Sequence, residues 1–120
     1  MKLAITTQNN SLDSPVDPRF GRTRGFIILD TDNSGYEYVT NETNMNASSG
    51  AGIQTAQRVV DLKADAVITG NCGPKAFAVL NTAGIKVITV SSGTIRENIE
   101  KFLNGALKPT TNPNVQSHWM

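Results

Sequence analysis

Apolar and polar positions alternate along much of this chain, and the alternation divides it into short elements. Residues 2–7 carry Leu3 and Ile5 on one face and read as a first strand. A polar stretch over 8–22, with two prolines, follows as a loop. Residues 25–30 hold Phe26, Ile27, Ile28 and Leu29 and read as a second strand. Asp32-Asn33-Ser34-Gly35 is a turn signal, and residues 36–40 form the return strand of a hairpin. After a polar loop over 41–49, Ile53, Ala56, Val59 and Val60 share one face of a helix expected over about 50–63.

The second half repeats strand and helix. Residues 66–69 are a short apolar strand, 73–83 a helix with Pro74 in its first turn, and 86–90 another strand. Residues 94–103 make the clearest helix: Ile95, Ile99, Phe102 and Leu103 form its stripe, and Thr94 with Glu97 forms a capping box. Beyond Pro109 the chain is polar and aperiodic until His118-Trp119-Met120. The expected organisation is one domain over 1–108 and a polar tail over 109–120.

The order β-β-β-α-β-α-β-α restricts the architecture. A hairpin cannot supply parallel neighbours, whereas the two βαβ passages can, through right-handed crossovers. The expected fold is a three-layer α/β/α domain around a five-stranded mixed sheet. Its second strand runs antiparallel to the rest, and the whole resembles the ribonuclease H-like topology.

Composition narrows the chemistry. With 120 residues, 38% hydrophobic and 18% charged, the chain is long enough for a layered core. A net charge of +1 is too small for an overall grip on nucleic acid or an acidic membrane, so any anion site is local. No apolar run approaches the ~20 residues of a membrane span. The first residues turn polar too soon for a signal peptide, which points to the cytoplasm. One cysteine, Cys72, and one histidine, His118, cannot build a four-ligand zinc or iron–sulfur site. A bound metal must bring most of its ligands.

Ligands of such sheets bind outside the carboxyl ends of the parallel strands. Four segments are expected there. Val16-Asp17-Pro18-Arg19-Phe20-Gly21-Arg22 concentrates cations, with Arg24 just beyond. Ser48-Ser49-Gly50-Ala51-Gly52, Gly70-Asn71-Cys72-Gly73-Pro74-Lys75 and Ser91-Ser92-Gly93-Thr94 each open a helix. Three helix N-termini would then face one crevice with backbone N–H groups and partial positive charge, beside guanidinium groups suited to a bulky anion. Each piece has a plainer reading. Glycine turns are ordinary punctuation, and Asp17 with Arg19 or Arg22 could form a local salt bridge. Cys72 is either a small buried residue or a thiolate activated by a helix start. Met45 is a soft ligand or a gap filler, and His118 and Trp119 lie in the tail.

Together, Val16-Asp17-Pro18-Arg19-Phe20-Gly21-Arg22, Gly50-Ala51-Gly52-Ile53-Gln54-Thr55-Ala56 and Thr69-Gly70-Asn71-Cys72-Gly73-Pro74-Lys75-Ala76-Phe77 resemble the dinitrogenase iron–molybdenum cofactor biosynthesis (accessory factor) family over about residues 1–108. The resemblance implies a ribonuclease H-like α/β/α fold and binding or carrying of a molybdenum-containing metal–sulfur cluster. For a small stand-alone member it implies a mixed molybdenum–copper sulfide or an iron–molybdenum-type cluster, held non-covalently. It also implies cytoplasmic partners in a cell-division-related complex. Carried onto this chain, the cluster-side segments are the Asp17–Arg22 loop, the Gly50–Gly52 turn and the Gly70–Lys75 turn, so that with Arg24 and Ser49 from the charge and helix-start reading the candidate binding residues are Asp17, Arg19, Phe20, Arg22, Arg24, Ser49, Gly50, Gly52, Gly70, Asn71, Gly73 and Lys75. Cys72, Met45 and His118 are optional soft contacts.

Two enzymatic readings compete with this non-enzymatic one. A two-metal nuclease needs several carboxylates on its central strands, and neither 4–7 nor 67–69 carries an acid. A phosphate- or nucleotide-binding enzyme would use the same helix ends, yet the chain has neither Gly-x4-Gly-Lys-Ser/Thr nor Gly-x-Gly-x-x-Gly.

Overall fold

Apolar runs that are buried on both faces set the sheet, as expected for strands covered by helices on each side. In the computed structural model, which describes residues 1–33, 35–45 and 50–110 (for 43 and 45 the backbone alone), five strands form. They are β1 (Lys2–Thr7), β2 (Gly25–Asp30), β3 (Tyr36–Thr40), β4 (Ala66–Thr69) and β5 (Lys86–Thr89). The helices are α1 (Glu42–Met45), α2 (Ala51–Asp61), α3 (Pro74–Thr82) and α4 (Ile95–Leu103). The strand order is β3-β2-β1-β4-β5. Strand β2 is antiparallel to both neighbours, while β1, β4 and β5 pair in parallel. This is the mixed sheet read from the element order.

Alternation along each strand sorts the core into two layers. Leu3, Ile5, Ile27, Leu29, Ile68 and Ile88 share one buried cluster with Ile95 and Ile99 of α4. Ala4, Phe26, Ile28, Val67 and Val87 face the other way, in a cluster with Ala56 and Val59 of α2 and Ala76 and Leu80 of α3. Both α2 and α3 are crossover helices between parallel strands. Their N-termini therefore stand at the edge where those strands end.

The helices differ slightly from the expected spans. Each of α2, α3 and α4 is shorter by one or two residues at an end, the usual fraying of such boundaries. Helix α1 falls where a polar loop was expected. Asn41 precedes it, accepting from the Asn44 backbone N–H at 3.0 Å through its carbonyl and from Asn44 Nδ2 at 2.9 Å through Oδ1. A single polar turn leaves no hydrophobic period to read. Thr110 is tied to the end of β5: its N–H donates to the Val87 carbonyl, and the Thr89 N–H donates to Thr110 Oγ1 at 3.2 Å.

Candidate functional site

The loop after β1 is mounted by its backbone. Val16 forms a bridge to Thr7, and the Asp17 N–H donates to the Thr6 carbonyl at 2.9 Å. The Asp17 carbonyl accepts from Thr6 Oγ1 at 2.9 Å and from the Gly70 N–H at 3.3 Å. Asp17 is only 2% exposed. One of its carboxylate oxygens accepts the Arg19 backbone N–H at 3.0 Å, and the other accepts Gln8 Nε2. No ion pair joins Asp17 to Arg19 or Arg22 among the described residues. The aspartate shapes the loop through a backbone donor and an amide, rather than through a guanidinium.

Phe20 anchors the next step. Its ring is buried in the cluster that holds Ala56, Cys72 and Ala76, and its N–H donates to the Asn71 carbonyl at 3.1 Å. Arg19 and Asn71 form a parallel bridge, and Asn71 Nδ2 donates to the Pro18 carbonyl at 2.8 Å. Thr55 of α2 reaches the Gly21 carbonyl from its hydroxyl at 3.3 Å. Asn41 Nδ2 binds both the Thr23 carbonyl and Thr55 Oγ1, each at 3.1 Å. Around this fixed frame Arg19 and Arg24 are exposed and Arg22 is half-buried.

The glycines divide by role. A Cβ on Gly70 would lie 2.5 Å from the Pro18 Cα, so the bare backbone there admits the arginine loop itself. Gly50 begins α2 with φ 71°, a left-handed conformation that suits glycine. Gly73 begins α3 in an extended conformation, with Pro74 next. Neither helix has a side-chain cap. Gly52 and Gly73 are buried, and Lys75 is exposed in the first turn of α3. Ser49 and His118 lie outside the described residues, as does the Met45 side chain.

Helix α4 departs from the expected three-way convergence. Its Ile95 and Arg96 N–H groups donate to the Ser14 and Leu12 carbonyls at 2.9 and 2.8 Å. The Glu97 N–H donates to Thr94 Oγ1 at 3.1 Å, and Glu97 Oε1 accepts the Thr94 N–H at 2.8 Å. These donors are taken by the protein, leaving none of them for an anion. Two helix starts, α2 and α3, remain beside the arginine loop.

Cys72 sits in the core, 1% exposed. Burial pushes its thiol pKa up to about 12, so desolvation outweighs the lowering expected at a helix start. Among the described residues no group of three or more His, Cys, Asp or Glu side chains could hold a metal ion. The described residues alone would leave a metal ion there short of side-chain ligands.

On the α4 side of the same loop lies a cleft of about 820 Å³. Pro15, Val16, Pro18, Gly70, Asn71 and residues 89–93 line it, without a charged side chain. Ser91, Ser92 and Gly93 were visible in sequence as a helix-opening turn. Pro15, Thr89 and Val90 carry no local signal, because long-range pairings bring them together: Pro15 with Thr94, and the Val16 N–H with the Gly93 carbonyl at 3.3 Å.

The fold and this edge define an α/β domain that presents exposed arginine beside two glycine-started helices, with no described metal-ligand cluster of its own. The chain belongs to the dinitrogenase iron–molybdenum cofactor family, whose sequence model matches residues 1–105. It resembles the apo form of the orange protein from Desulfovibrio gigas, with 41% identity, a TM-score of 0.91 and coverage of 95% of this chain and 96% of that one. A Thermotoga protein proposed to be NifB, solved by NMR, shares 33% identity at a TM-score of 0.82, over 95% of this chain and 97% of that one. An uncharacterized protein of Methanocaldococcus jannaschii is 33% identical over 110 residues, 90% of each chain. No helix among the described residues is long and apolar enough to cross a membrane.

Proposed function

We propose that this protein binds and carries an anionic molybdenum-containing metal–sulfur cluster, of mixed molybdenum–copper sulfide or iron–molybdenum type, without catalysing a reaction. The cargo sits at the C-terminal edge of the sheet on the α2/α3 side of the arginine loop. Arg19 and Arg22 supply charge and planar donors, Arg24 and Lys75 add positive potential, and the starts of α2 and α3 add their helix dipoles. Asp17, Phe20, Gly70 and Asn71 position the loop.

One observation carries this reading. Asp17 engages the Arg19 backbone N–H and leaves the exposed Arg19 guanidinium without an ion-pair partner among the described residues. A fixed loop bearing such a cation suits a guest that brings anionic sulfide. Membership of the family and the likeness to the orange protein support the choice of cargo. The same reading extends to a cytoplasmic setting and to protein partners in a cell-division-related complex. A phosphate- or nucleotide-binding enzyme using three helix starts is the weaker alternative, since α4 is already capped.

The test is reconstitution. Apo-protein is mixed with tetrathiomolybdate and a copper(I) source and then desalted. Molybdenum co-eluting in stoichiometric amount, with charge-transfer absorbance, supports the reading. A protein that retains no metal yet binds phosphate or nucleotide contradicts it.

A further inference from the structure

The two edges of the sheet differ. On β5 the outer edge is engaged: the Val87 carbonyl takes the Thr110 N–H, and the Thr89 N–H reaches Thr110 Oγ1. On β3 it is open. The Asn41 N–H donates to the Arg24 carbonyl at 2.7 Å, which sets the phase of the β2–β3 ladder. Hydrogen-bonded pairs alternate along an antiparallel ladder, so Glu37 and Val39 turn their backbone groups to β2. Tyr36, Tyr38 and Thr40 turn theirs away from the sheet. Among the described residues these outward N–H and carbonyl groups have no hydrogen-bond partner. Little on β3 blunts the edge in the usual ways. The strand has no proline and no lysine, its one charge is Glu37, and it pairs with β2 without a bulge. The Tyr38 ring leans back over β2, where a Cβ on Gly25 would meet it at 2.6 Å.

We infer that a second copy of this chain pairs with β3, antiparallel and about a two-fold axis through Tyr38. The register selects this occupant. With Tyr38 opposite its own mate, Tyr36 stands opposite Thr40 of the other copy, and Glu37 opposite Val39. The outward residues then face one another as hydrogen-bonded pairs, and every outward N–H and carbonyl finds a partner. The strand's one carboxylate meets an aliphatic neighbour, so no like charges are opposed. Moving the axis to Glu37 would set two carboxylates face to face, and moving it to Val39 would drop Tyr36 from the ladder. The two Tyr38 residues form a cross-strand aromatic pair, and Tyr36, 43% exposed, gains a neighbour. Such a contact is isologous and closes at the dimer. The inference stands on this strand alone and holds whatever the cargo is.

A contact well below standard interface size is weak, so the metal-free full chain is followed by sedimentation velocity from about 10 µM to about 1 mM. Its weight-average mass is expected to rise towards twice the monomer mass. Over the same range, hydrogen exchange of the Tyr36, Tyr38 and Thr40 amides should slow several-fold by NMR. Glu37 and Val39, already bonded to β2, should change little. Tyr36→Pro removes an outward donor that β2 does not use, so it should keep its far-UV circular dichroism and stay monomeric. If it fails to fold, the exchange pattern of the parent decides alone. A monomer across the whole range overturns the inference. So does a dimer in which those three amides exchange as fast as in the monomer, or one that Tyr36→Pro leaves equally tight. Growth beyond the dimer overturns it too, because a two-fold pair at β3 closes.

Discussion

Gly70 and Pro18 are in backbone contact: a methyl group on Gly70 would fall 2.5 Å from the Pro18 Cα and 2.8 Å from its carbonyl oxygen. This contact joins the end of β4 to the arginine loop, and backbone on both sides leaves no flexible side chain to yield. Gly70→Ala should therefore push the loop away from β4. Overpacking of this kind costs about 1–3 kcal/mol, read as a lower urea midpoint at unchanged slope. Molybdenum retention should fall with it. An unchanged midpoint would show that the loop can shift freely.

The buried thiol gives a second expectation. Cys72 lies in the core just before α3, and burial raises its thiol pKa to about 12, so the native thiol is overwhelmingly protonated at pH 8. Iodoacetamide should label the folded protein far more slowly than the urea-unfolded chain. Cys72→Ala should keep its molybdenum, at a cost in stability. Rapid native labelling, or loss of metal in a folded Cys72→Ala variant, would restore the cysteine as a ligand.

Helix α4 yields a pH-dependent expectation. The Glu97 pKa is lowered, first by its hydrogen bond to the Thr94 backbone and then by that from the Thr94 side chain. A depressed folded value stabilises the protein above the unfolded carboxyl pKa, and the benefit fades as pH falls through the folded pKa. Glu97→Gln should be less stable than the parent at neutral pH, and the gap should close in acid. Thr94→Ala should cost about 1 kcal/mol through the lost cap. Thermal melts from neutral to acidic pH check both, and a gap that widens in acid would contradict the assignment.

These cases show where sequence was informative. β1 to β4 were legible to the residue, because their apolar runs and the Asp32–Gly35 turn are local signals. The Thr94–Glu97 capping box was legible for the same reason. What the sequence could not display was pairing across distance. Gly70 was legible as part of a helix-opening turn, whereas its backbone contact with Pro18 was not. The start of α4 looked open to an anion, but its donors go to Leu12 and Ser14, some eighty residues earlier. Cys72 read as either a small buried residue or a thiolate at a helix start, and its burial supports the first. Thr110 read as tail, and its hydrogen bonds to Val87 and Thr89 were not legible. The arginine loop was legible as a concentration of charge, whereas its bracing by Gln8, Asn71 and Thr55 was not.

Arg19 and Arg22 carry the central claim, and molybdenum retention by Arg19→Ala/Arg22→Ala tests it most directly. Charge-assisted hydrogen bonds are worth about 1.5–3 kcal/mol each. Loss of one such bond corresponds to about tenfold or more in affinity. After reconstitution with tetrathiomolybdate and copper(I) and desalting, the folded double variant should hold far less molybdenum than the parent, with Arg19→Lys/Arg22→Lys in between. Equal retention by the parent and the double alanine variant would contradict the account.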